Sequence, residues 1–269
     1  MILNHFDQIP MSIVYVFIMA VLFLAAEFGF YIGKVRKNII NAGGEDKQTG
    51  SIMGASLGLL AFLLAFSFNI VSNIHSERKS LVVDEANAIS TLYLRTEMFE
   101  LEQARTIRNL LKEYVDIRVY LGTVEITNDK IAQGIDVSES MQMAIWDNVL
   151  EIIKFSDNPM KRTLVVAANE VIDIHTERVN AAFQRLPIVS LFLLLFIAIL
   201  TLGLMGYQSG LNGIRVLLPR TALILSLATV MIVILDLDRP GGNLIEVSQK
   251  TMLDLQEQLA INTRYTDKL

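Results

Sequence analysis

The stretch Ser51–Arg95, SIMGASLGLLAFLLAFSFNIVSNIHSERKSLVVDEANAISTLYLR, limits the folds open to this chain more than any other. It contains no proline and reads as helix from end to end. Its first part, Ser51 to about Val71, is apolar, and it turns polar at Ser72, Asn73, His75, Glu77, Arg78 and Lys79. Beyond that it continues as an amphipathic helix through Leu81, Glu85, Ala88, Ile89 and Leu92. A helix of this length is a rod of roughly 65 Å. The hydrocarbon core of a bilayer is only about 30 Å thick. The stretch therefore predicts a membrane helix that carries a rigid extension into water.

The rest of the chain follows the same segregation. Over 269 residues, 52% are apolar, and the mean hydropathy is +0.46. Four runs are long and apolar enough to span a bilayer: about Ser12 to Gly33, Ser51 to Val71, Leu186 to Met205, and Val216 to Leu235. The first run has no basic region ahead of it and no small-residue cleavage site before Lys34, Arg36 and Lys37. It is expected to be a retained span instead of a signal peptide. Residues 72–186 have the composition of a soluble region. A net charge of −5 argues against nucleic acid as a partner, and the lack of cysteine excludes disulfides and thiolate metal sites.

Within residues 72–186 the pattern is helical. Leu101, Ile107, Leu110, Leu111, Tyr114, Ile117 and Val119 recur at helical spacing before Gly122. Residues 122–140, with Gly122, Gly134 and several Asx and Ser residues, predict a loop, and Ser138 a helix cap. The next helix should stop near Ser156–Pro159, with Pro159 opening another that runs through Asn169, Ile172, His175, Val179 and Phe183. Pro187 should kink or restart it. The tail from Asn243 reads as one last amphipathic helix. The Gly43–Asp46 run GGED resembles a cyclase signature but lacks the continuation and the α/β surroundings of one. Basic residues in the short loops (Lys34, Arg36, Lys37, Lys47, Arg215, Arg220) predict those loops on the cytoplasmic side, with both termini and the central region outside.

Several residues are candidates for function. Glu27 is the one acid within a span: either it lines an ion path or proton relay, or it is a protonated or arginine-paired structural acid. Arg220 lies a turn inside span four and either snorkels to headgroups or pairs with an acid such as Glu27. In span two, Gly54, Gly58, Ala61, Ala65 and Ser72 form a small-residue stripe, with Asn69 beside it and Phe62 and Asn73 further round. The stripe suits a tight helix contact within one chain. It equally suits a pore between subunits, with Phe62 or Phe66 as a hydrophobic constriction and Asn69 and Asn73 as wetted polar rings.

His75 and His175 lie in two similar passages, IHSER and IHTER, whose polar groups suit salt bridges or metal ligation. Glu85 should pack with a cation, Arg178 or Arg95, or else form a cation site near a pore mouth. Asp236 and Asp238 are structural acids or an acidic ring in an oligomer. No protease, phosphate-loop, serine-elbow or cysteine-nucleophile motif is present, so no enzyme activity and no cofactor are expected.

The run GASLGLLAFLLAFSFN at Gly54–Asn69, followed by HSERKSLVVDEANAISTLYLR at His75–Arg95, resembles the bestrophin-like domain family of bacterial and plant membrane proteins. NEVIDIHTER at Asn169–Arg178 and ILDLDRPGG at Ile234–Gly242 resemble the same pattern, with Gly241 a departure where a bulky residue often follows the proline. The fold expectation is an all-α integral membrane protein with four transmembrane helices. It places a helical extramembrane bundle between spans two and three, the chain dividing at 1–71, 72–186, 187–236 and 237–269. The resemblance implies an oligomeric channel or channel-like protein in a cell membrane, such as the bacterial inner membrane. The small and polar stripe of span two and its rigid extension make span two the expected lining of an ion path. The family's name, by its likeness to anion channels, suggests anions as the ion class, and lipid, further copies of the chain and inorganic ions are the expected partners. The alternative is a non-conducting sensor or scaffold whose helical bundle binds a partner.

Overall fold

A computed structural model describes residues 9–40, 47–123, 128–154, 159–239 and 244–266. The GGED run, the Ser156–Asn158 stop and the Pro240–Gly242 turn lie outside them. Eight helices are seen among the described residues: α1 (Met11–Ile40), α2 (Lys47–Thr96), α3 (Glu102–Thr123), α4 (Asn128–Ile153), α5 (Pro159–Phe183), α6 (Ile188–Asn212), α7 (Leu217–Asp238) and α8 (Lys250–Thr266). No strand occurs among them. Long apolar segments able to cross a membrane occur in α1, α2 and α7 and in the stretch ending with α6. Together with the apolar composition, they make this an integral membrane protein.

The chain divides into two compact units. One comprises residues 75–184 and 246–269, the other 5–74 and 185–245. The second unit has α1 at its centre. Gly29 lies against Gly203, and Gly33 one turn later lies against Tyr207, so α1 and α6 run parallel. Two GxxxG pairs, Gly29–Gly33 and Gly206–Gly210, bring the backbones together: a Cβ on Gly206 would overlap the Ala26 carbonyl, and one on Gly210 the Phe30 carbonyl. In lipid, where packing and not water exclusion drives association, such close approach is what holds parallel helices together. α7 runs antiparallel to α1, as Tyr15 Oη lies 3.2 Å from Thr229 Oγ1 while Glu27 meets Arg220. Leu22, Leu60, Leu202, Ala228 and Ile234 are among its buried core residues.

The first unit is a helical bundle around Ile89, Leu92, Ile107, Leu111, Tyr114, Val149, Leu164 and Val171. α8 joins it through Met252, Leu255 and Leu259, and Gln256 Nε2 donates to Asp116 Oδ1 at 2.7 Å.

The expected loop, the Ser138 cap and the start of the last helix are corrected. Where a loop over 122–140 is expected, α3 continues to Thr123 and α4 begins at Asn128, ahead of Ser138. The two glycines behind that expectation are packing positions inside helices: Gly122 accommodates the Gln249 side chain and Gly134 that of Leu121. The last helix begins at Lys250, not Asn243, because the Leu244 and Ile245 amides donate to the Asp236 carboxylate (3.1 and 2.9 Å) and hold that stretch off helix. At Pro187 the chain restarts as expected, with an extended Pro187 before α6. α6 then stops at Gly213, whose φ of 72° is the left-handed conformation that favours glycine.

Candidate functional site

The α2 segment Gly54–Asn73 presents the first candidate face. A Cβ on Gly54 or Gly58 would meet nothing within 4 Å, and Ala61 and Ala65 are exposed. The reading of this stripe as a contact within one chain is therefore not met among the described residues. Beside it Phe62 and Phe66 are 65% and 57% exposed, and their rings stack with centroids 6.3 Å apart. One turn on, exposed Asn73 donates through Nδ2 to Asn69 Oδ1 at 3.2 Å. The opposite side carries Leu60, Leu64 and Val71, which are buried in the core. α2 thus has one anchored side and one side on which two phenylalanines are followed by two amides.

Glu27 is held by α7. Its Oε1 pairs with Arg220 Nη2, while Arg215 Nη2 lies 3.4 Å from Oε2. The Arg220 side chain is only 4% exposed and lies over Phe23 at 5.3 Å, so it does not snorkel. Burying a guanidinium in a membrane helix is costly without a partner, and Glu27 supplies one.

In the first unit, Glu85 is fully buried at the centre of a polar network. Arg178 Nη1 pairs with its Oε2. Arg118 Nε lies 3.0 Å from its Oε1, and Tyr114 donates its hydroxyl to Oε1 at 2.7 Å. Gln142 Nε2 donates to Tyr114 Oη at 3.2 Å, and His175 Nδ1 lies 3.1 Å from the same oxygen. With the Tyr114 proton given to Glu85, its oxygen has only lone pairs left for His175. That geometry assigns the imidazole proton to Nδ1. Burial, with the Glu85 carboxylate beside it, pushes the Tyr114 phenol well above its ordinary range, so it remains a donor. Arg178 also reaches Gln249 Oε1 at 3.0 Å, which ties the α8 side of the bundle to the same node. Of the two cations expected for Glu85, Arg178 is present. Arg95 instead donates to the Thr163 carbonyl. Arg118, Tyr114 and Gln142 are additional.

His175 is thereby occupied with Tyr114, and His75 is half-buried in the same unit. Among the described residues no three His, Asp or Glu side chains gather in a metal-binding group. Asp236 and Asp238 are buried at the end of α7. Asp236 accepts from the Leu244 and Ile245 amides, and Asp238 Oδ1 accepts from the Leu186 amide at 2.6 Å, with Arg185 Nη1 at 3.7 Å from Oδ2. An acid at a helix C-terminus opposes the helix dipole, and these charge-assisted bonds offset that cost. Both carboxylates serve to fix the entry to α6 and the exit from α7.

The family described as Bestrophin-like domain matches residues 19–252, which takes in both units. No curated protein and no solved structure matches the chain.

Proposed function

Because the chain belongs to the Bestrophin-like domain family, we propose that this channel-like membrane protein is an oligomeric ion channel whose α2 helices line the conducting path. The observation that carries this reading is the open face of α2. A membrane helix whose Gly54 and Gly58 have open space around them among the described residues, and whose stacked Phe62 and Phe66 and hydrogen-bonded Asn69 and Asn73 are exposed, is suited to meet copies of itself. In such an assembly the phenylalanines form an apolar constriction that gates by wetting, and the amides form polar rings beside it. Glu27 has a structural part in this reading: it neutralises Arg220 and does not face the path. Residues 75–184 would lie outside the bilayer, in keeping with their buried ionic network. Anions are the first ion class to test, on the family's likeness to anion channels.

A second reading is a non-conducting sensor or scaffold. It is favoured by exposed apolar side chains in the first unit, Leu94, Met98, Met143 and Val166, which suit a protein partner.

Flux from liposomes separates the two. Purified protein reconstituted with separate chloride and potassium gradients is expected to conduct above empty vesicles, and the gradient that dissipates identifies the ion class. Asn69→Leu removes the amide that accepts from Asn73 and is expected to lower flux at least about tenfold while the oligomer stays intact. Absence of flux in both gradients, from intact oligomers, would favour the scaffold.

A further inference from the structure

We propose that the last turns of α1 and the α6–α7 connection together bind the phosphate of an anionic phospholipid headgroup. On α1, Phe23, Glu27, Phe30, Lys34 and Lys37 recur at alternating spacings of four and three and so share one face. Arg220 and then Arg215 are set against that face. Arg220 lies over Phe23 and pairs with Glu27; Arg215 lies 4.7 Å over the Phe30 ring and 3.4 Å from the other Glu27 oxygen. One turn beyond Phe30 come Lys34 and Lys37. The Lys37 ammonium donates to the Asn212 carbonyl at 3.1 Å, which brings the end of α1 against the α6–α7 connection.

The charges on this face do not balance. Glu27 carries a single negative charge, and the buried Arg220 needs it most, since its side chain is 4% exposed while that of Arg215 is 62% exposed. Arg215 is therefore only partly offset by Glu27, and it lies against the Phe30 ring and Glu27. Lys34 is exposed one turn after Phe30 on the same face of α1. A guanidinium and a lysine on one face, with an excess of positive charge, match a phosphate monoanion.

The surroundings select a lipid over a soluble phosphate. Ile214, Val216, Leu217 and Leu218 flank Arg215, and all four are exposed, Leu218 at 80%. In a bilayer such a run lies against acyl chains, while Arg215, Lys34 and Lys37 sit at headgroup depth. A phospholipid would satisfy both at once. Arg36 lies 6.0 Å over the Tyr207 ring, away from Arg215 on α1, and adds to the attraction without contributing to this face.

The test uses the full chain in neutral detergent, with thermal stability followed as lipid is added. Phosphatidylglycerol is expected to stabilise it saturably, whereas phosphatidylcholine and inorganic phosphate at the same concentrations do not. Lys34→Gln with Arg215→Gln should raise the half-saturating phosphatidylglycerol concentration about 25-fold, at about fivefold per cation removed. Removing equal charge from the other unit, with Lys79→Gln and Lys250→Gln, should leave it unchanged. If the site variant does not fold, Lys34→Gln alone carries the test with an expected loss of about fivefold. The proposal is overturned if phosphatidylcholine or inorganic phosphate stabilises the protein equally. It is also overturned if the site variant binds as the unmodified chain does, or if the control pair weakens binding as much.

Discussion

Glu85→Gln is expected to destabilise the unit of residues 75–184 by about 3–5 kcal/mol, the cost of leaving buried cations without their counter-charge. The glutamine has nearly the volume of the glutamate, so little of the loss would come from packing. Arg118 and Arg178 would instead face each other across a neutral amide, at a point where Glu85 is fully buried. Tyr114 would also lose its charged acceptor. Tyr114→Phe should cost less, about 1–2 kcal/mol, because the carboxylate and both arginines remain in place. Denaturant unfolding of each variant, followed by helical signal, measures both values. A Glu85→Gln loss under about 1 kcal/mol, or a larger loss for Tyr114→Phe, would contradict the assignment of Glu85 as the centre of this network.

Gly206→Leu should abolish the packing of α1 on α6, whereas Gly58→Ala should leave the fold of the single chain intact. Both glycines belong to GxxxG pairs in apolar helices, so the sequence pattern alone gives them equal weight. The difference is in what surrounds them. A Cβ at Gly206 overlaps the Ala26 carbonyl, a backbone atom that moves only if the helices separate. Even Gly206→Ala is expected to cost about 1–3 kcal/mol through overpacking, and leucine should leave no folded protein. At Gly58 a methyl group enters open space, and the stability of the detergent-solubilised protomer should change by no more than about 1 kcal/mol, in the stabilising direction, as alanine favours helix. Expression yield and the temperature of helix loss distinguish the two cases. Equal tolerance at both positions would mean that α1 and α6 are not in backbone contact.

These residues also show where the sequence was readable and where it was not. The long proline-free helix, the apolar runs and the restart at Pro187 depend on local propensity and periodicity, and they appear as expected. The family pattern at Gly54–Arg95, Asn169–Arg178 and Ile234–Gly242 falls within the matched residues 19–252. Pairing between distant helices was less legible. Four GxxxG pairs occur, starting at Gly29, Gly50, Gly54 and Gly206, and only those in α2 attract notice from the sequence, because small residues and asparagines extend them. The two that pack against each other are the other two.

One signal of the Glu85 network lies in α3. Ile107, Leu111, Tyr114, Val115 and Arg118 lie along one buried face of α3, and an arginine on an otherwise apolar face requires an acid across from it. Arg95, nearer to Glu85 in sequence, is ten residues further along the same helix and turns to the Thr163 carbonyl. The loop expected at 122–140 failed for a related reason. Its glycines provide room for neighbouring side chains, a tertiary requirement that turn propensity does not register.

The chain has no cysteine, so a single one introduced on α2 is a unique reporter. Asn69→Cys places a thiol on the open face, one turn after Phe66. Chloride and potassium flux in liposomes would be followed before and after a charged, water-soluble thiol reagent is added. With α2 lining the path, the reagent reaches the thiol and changes flux at least severalfold, in opposite directions for cationic and anionic reagents of similar size. A thiol that is fully modified, in vesicles whose flux does not change, would place the conducting path elsewhere and contradict the account.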